Sequence, residues 1–216
     1  MIKYQKIQAL YTGILCGIFF FIIDGIFWWN SGVREMFGYW STIPSKYLVD
    51  FMMTFSYGVV AFSWVYIMFT SDPSNHINII KWTSLVFGGW LLVGMISQWL
   101  PLIDLQIMTV RHMNTLRILE IVVVICGYSL LIILGYKFKQ LLYIFWIGSM
   151  LTFMMEFPLM IFAIRPSGLD ILIYDTLILT NQGVPYAFII VDKIIPVMKD
   201  KLSVSREIES EVYNVE

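Results

Sequence analysis

The segment Gln8–Trp29, QALYTGILCGIFFFIIDGIFWW, decides how the rest of the chain is read. It is apolar over the ~20 residues a helix needs to cross a ~30 Å hydrocarbon core, yet it carries an acid, Asp24, near its end. It starts too early and runs too long for a cleaved signal peptide, and no small-residue cleavage site follows, so we read it as a helix of the mature protein. Five further stretches match it: Leu48–Thr70, Ile79–Leu100, Leu116–Tyr136, Gln140–Ile164 and Ile171–Ile194. The expected fold is all-α, a polytopic bundle of about six transmembrane helices over residues 1–198, followed by a polar cytoplasmic tail at 199–216.

Composition agrees, because 59% of the 216 residues are apolar and only 13% are charged. A water-soluble domain has about 25% charged residues and no place for so much apolar surface. With a net charge of −1 the chain has no basic field, which argues against a nucleic-acid partner. Cys16 and Cys126 lie inside apolar segments, and His76 and His112 fall in connections, so no metal site, haem or other cofactor is expected.

Basic residues set the orientation, since cytoplasmic flanks retain Lys and Arg. With both termini cytoplasmic, 9 basic residues face inward and 5 outward, the latter being Arg34, Lys46, Arg111, Arg117 and Arg165. The connections Asn30–Tyr47 and Leu102–Thr115 read as loops at the membrane interface. Only Lys137–Gln140 joins the fourth and fifth segments, which predicts antiparallel neighbours. The bilayer follows from hydrophobicity alone, so a bacterial plasma membrane and an endoplasmic reticulum are equally compatible.

The chemistry resides in the acids, because a charge at mid-membrane costs ~2.5 kcal/mol or more and such residues face a protein interior. Glu156, in SMLTFMMEFPLMIF, precedes Pro158, which can open the helix beside it. Glu156 reads either as an acid that relays a proton or as one neutralised by a neighbour to pin helices together. The last segment holds Tyr174, Asp175, Asn181 and Gln182, and its Gly183-Val184-Pro185 should loosen the helix. Glu156 and Asp175 are the candidate catalytic acids, on one shared cavity. Asp24, Glu120, Tyr174, Asn181, Gln182 and Trp146 are the candidate ligand contacts. Glu120 also suits a salt bridge with Arg117 near the outer interface, with that arginine reaching upward. Asp50 with Tyr57-Gly58, and Glu120 with Gly127-Tyr128, suggest an internal repeat.

Ile23-Asp24-Gly25-Ile26-Phe27, the acids Asp50 and Glu120 each followed by a Tyr/Gly pair, and Asn181 with Pro185 and Asp192 resemble the emopamil-binding-protein (EXPERA) family of membrane bundles. That resemblance implies a sterol isomerase or a lipid-binding relative. The family's intramembrane histidine has no counterpart here. Carboxylates alone suit protonation-initiated cyclisation, as in the fungal integral-membrane meroterpenoid cyclases, which this chain resembles in size and intramembrane acids. The expected partner is therefore a lipophilic sterol- or terpenoid-like molecule. The alternatives are a small proton-coupled transporter and a noncatalytic membrane subunit.

Overall fold

A computed structural model describes residues 2–37, 45–100, 108–113, 115–164 and 168–196. The tail at 199–216 lies outside the described residues. Helix α1 (Ile2–Phe20) runs on through a π-helical turn, Phe21–Phe27, into the short α2 (Trp28–Asn30). Then come α3 (Lys46–Thr70), α4 (His76–Trp99), α5 (Arg117–Ile133), α6 (Phe138–Ile161), α7 (Leu169–Ile178) and α8 (Val184–Ile189), which ends in a second π-helical turn, Ile190–Ile194. Among the described residues, four helical stretches are long and apolar enough to cross a membrane: Ile7–Asn30, Lys46–Thr70, His76–Trp99 and Phe138–Ile161.

Local chemistry explains the boundaries. The Asn75 side chain accepts from the Asn78 backbone N–H and caps α4. Gly135 takes φ +83° after α5, while the N–H of Tyr136 reaches Leu131 O at 3.1 Å and that of Gly135 reaches Ile132 O at 3.0 Å. This double closure satisfies the last carbonyls and reverses the chain within the short connection. Pro158, inside α6, removes the helical donor for the Met154 carbonyl without ending the helix.

α1 packs along α3, and α6 touches α4, α7 and α8. Their buried side chains, among them Trp64, Met68, Leu131, Ile147, Leu151 and Met154, form the apolar core. The short loop does not make α5 and α6 close partners. α5 lies mainly on α8 and α7, and one of its links to α6 is the Tyr128–Phe145 ring pair at 5.8 Å. Helix α7 stops at Ile178 and α8 starts at Val184, so the last segment is broken where Asn181, Gln182 and Gly183 occur.

The two long connections are not simple interfacial loops. Arg34–Phe37 (β1) and Met108–Arg111 (β2) pair as a two-stranded antiparallel sheet with Arg34 opposite Arg111. Strand alternation turns Arg34, Met36, Thr109 and Arg111 inward, all buried, while Glu35 and Phe37 point away. The sheet thus delivers two guanidinium groups into the interior.

Candidate functional site

Every buried acid among the described residues lies within about two turns of a helix end, C-terminal for Asp24 and Glu156 and N-terminal for Asp50, Glu120 and Asp175, and antiparallel packing brings these ends together. Asp24 precedes the end of α2 by six residues, Asp50 and Glu120 stand in the opening turns of α3 and α5, Glu156 is five residues from the end of α6, and Asp175 is six into α7. At 1.5 Å per residue these positions are roughly 5–10 Å deep from those ends. Glu156 is therefore at a depth similar to that of the other four.

Two guanidinium clusters organise them. Arg34 grips Asp50 in a bidentate pair, Nη2 to Oδ1 at 2.5 Å and Nη1 to Oδ2 at 2.9 Å, with Nε 3.3 Å from Asp24 Oδ2. Arg111 Nη2 meets Asp24 Oδ1 at 3.0 Å. Two arginines opposite each other in a sheet repel, and Asp24 sits between them as the shared counter-charge. The π-helical turn carries Asp24 inward, and Gly25 beside it makes room. A Cβ there would lie 2.7 Å from Asp50 Oδ2, so a larger residue would push the acid off Arg34. Burial alone would lower the Arg111 pKa, but Asp24, then Asp175, Glu156 and Glu120, more than offset this, and the net shift is upward.

In the second cluster Arg117 Nη1 lies 2.7 Å from Asp175 Oδ1 and 3.5 Å from Glu120 Oε2. Its Nε donates to the His112 carbonyl at 3.1 Å, and its guanidinium lies over the Tyr174 ring. The Tyr174 hydroxyl donates to Arg117 O at 2.9 Å. The expected salt bridge between Arg117 and Glu120 is present, and Arg117 is buried rather than reaching upward to a surface: the side chains are 3% and 1% exposed. Asp175, absent from short-range sequence patterns, supplies the closer partner because α7 folds back against α5.

Beside the clusters lies a cavity of about 260 Å³, walled by apolar groups such as Phe20, Ile23, Trp28, Phe62, Leu151 and Met155. Its polar lining is Asp24, Thr152, Glu156, Thr180 and Gln182. A smaller space of about 20 Å³ is lined by Asp24 and Glu156 again, now with Arg34, Arg111, Thr54 and Tyr57. Asp24 and Glu156 thus stand at the boundary between an apolar chamber and the arginine-bearing interior.

The structure redistributes the candidates. Glu156, Asp24 and Gln182 line the chamber, but Asp175 does not, so the second acid on its wall is Asp24. Asn181 is fully buried and faces protein. Its Nδ2 donates to Ser149 Oγ and Leu177 O, both at 3.0 Å, and its Oδ1 accepts from Tyr128 at 2.6 Å, which ties the helix break to α5 and α6. Trp146 is 37% exposed and packs on Tyr143 and Trp64, outside the chamber wall. Tyr174 and Glu120 belong to the Arg117 cluster. In the sequence Arg34 and Arg111 read only as basic residues of the outer connections. Their alternation with outward neighbours in Arg34–Phe37 was the available signal, but a four-residue strand is too short to separate from a loop. Compared with protein-family models, with curated proteins and with solved structures, the chain matches none.

Proposed function

We propose that the protein is an integral membrane protein of six crossings that takes a lipophilic sterol- or terpenoid-like molecule into the apolar chamber and acts on it by carboxyl proton transfer. The chamber itself carries the reading: apolar walls with two acids at one end. At about 260 Å³ it lies just below the ~300–1,000 Å³ range of small-molecule sites, which favours a compact lipophile or one end of a longer one. Glu156 is the proton donor. Asp24, ion-paired with two guanidiniums and accepting a hydrogen bond from Arg111, is a carboxylate suited to stabilising a developing cation. The Phe20, Phe62 and Trp28 rings line the same space and offer π faces to that cation.

Large apolar side chains face outward, among them Leu85, Leu92 and Val93 on α4 and Ile118, Val122 and Ile125 on α5, while the charges turn inward, which suits a lipid surround. The buried arginines also sharpen the orientation argument. Arg34, Arg111 and Arg117 are paired inside the protein, so they do not oppose cytoplasmic termini as free loop charges would.

The test is purification in mild detergent followed by mass spectrometry of retained lipophiles. We expect a polycyclic or isoprenoid compound with the wild type and its loss in Ala61→Phe, which fills the chamber wall. Equal retention by both overturns the reading. The helix break at Leu179–Gly183, beside the chamber, supports a second reading as a proton-coupled carrier. Product formation in detergent without a gradient favours the enzyme; gradient-driven uptake into proteoliposomes favours the carrier.

A further inference from the structure

We propose that Arg117, Glu120 and Asp175 form a second, polar site beneath the β1–β2 sheet that holds one exchangeable proton together with water. It is separate from the apolar chamber and does not rest on what that chamber binds. One guanidinium serves two carboxylates here, at 2.7 Å from Asp175 and 3.5 Å from Glu120, and both acids are 1% exposed or less. With all three groups ionised the trio carries an uncompensated negative charge in a medium that solvates it poorly. Arg111, from β2, acts on both acids, but its closest carboxylate is Asp24 at 3.0 Å. The other acids that act on Arg111, Glu156 from α6 and Asp24 from the π-helical turn, only add to the negative side. Tyr174, on α7, already gives its proton to the Arg117 carbonyl and places only its oxygen 3.4 Å from Glu120 Oε2. A proton on one carboxyl removes the excess charge and creates a donor, as in other sites where two carboxyls share one proton.

The geometry also selects what accompanies the proton. Arg117 Nη2, Glu120 Oε1 and Asp175 Oδ2 are buried and have no hydrogen-bond partner within the protein. One is a donor and two are acceptors on ionised groups. A metal cation would meet the free N–H of Arg117, and an anion would meet two carboxylates. Water both donates and accepts, so it satisfies all three. The outside lies close: Arg117 Nε bonds the His112 carbonyl, and the His112 side chain is half-exposed beside Glu35. The proton can therefore exchange with solvent around the edge of the sheet.

Infrared spectroscopy of the full chain in lipid nanodiscs at neutral pH tests this directly. We expect a carbonyl stretch of a protonated carboxyl that shifts in heavy water and disappears in Glu120→Gln. One substitution suffices whichever acid holds the proton, because without Glu120 the Arg117 guanidinium faces a single carboxyl, Asp175 at 2.7 Å, and the excess negative charge is gone. Glu120→Gln keeps the Arg117–Asp175 pair, and its folding is checked by monodisperse elution. If it nevertheless fails to fold, carboxyl ¹³C-labelled aspartate and glutamate in the wild type, with Asp175→Asn and Glu156→Gln, assign the band. No heavy-water-sensitive band in the wild type, or a band of which Glu120→Gln removes no component beyond the one that Glu156→Gln removes, overturns the proposal.

Discussion

Replacing Arg34 by Met should unfold this protein at a markedly lower temperature, although the residue lies in a connection. Arg34 is 2% exposed and makes both hydrogen bonds of a bidentate pair with Asp50, itself fully buried. Removing one member of a buried pair leaves the other charge without compensation and costs about 3–5 kcal/mol. Asp24 keeps Arg111 at 3.0 Å, so the loss centres on Asp50. For a chain of this length each kcal/mol moves the melting temperature by roughly 2–4 °C, which gives a fall of about 6–20 °C. The double variant Arg34→Met/Asp50→Leu should recover most of it, since an apolar pair of similar volume replaces a buried ion pair at little cost. Thermal unfolding in detergent, followed by tryptophan fluorescence, measures all three proteins. A single variant within about 2 °C of wild type, or a double variant no better than the single, refutes the reasoning.

Glu156→Gln should preserve folding and abolish turnover or binding of the lipophile; full activity in both this variant and Asp24→Asn would remove acid/base chemistry from the chamber. Gly58→Val should lever α1 from α3, because a Cβ at Gly58 would stand 2.7 Å from Gly17 Cα. The overpacking cost of about 1–3 kcal/mol appears as a lower melting temperature. Asn181→Leu should lose about 1–3 kcal/mol by orphaning the Tyr128 hydroxyl, and a Tyr128→Phe background should shrink that loss in a double-mutant cycle. A cysteine replacing Ser203 should resist impermeant thiol reagents on intact cells, and labelling without permeabilisation would reverse the assigned topology.

Much was legible in sequence because membrane-length hydrophobicity is a property of contiguous residues. The run containing Asp24 and the Gly-x-Pro that breaks the last segment each act within a few residues, and each appears in the structure. The pairing of Arg117 with Glu120 was legible for the same reason, being i to i+3 on one helix. The partners of the acids were not. Arg111 reaches Asp24 across 87 positions and Arg117 reaches Asp175 across 58, and no local pattern records contacts that distant.

By itself, then, the sequence determined that apolar helices of membrane length would form and that a few acids would have to hide among them, because insertion cost is paid segment by segment. Only the tertiary structure decided which acid faces the chamber and which meets an arginine. Antiparallel packing brings the ends of separate helices to one level, and a two-stranded sheet built from the long connections lowers Arg34 and Arg111 between them. Asp24 and Glu156 consequently border an apolar space, Asp24 while also paired with Arg34 and Arg111, whereas Asp50, Glu120 and Asp175 are held by guanidiniums away from it. Five carboxyl groups of similar intrinsic chemistry thus acquire different surroundings from the fold alone.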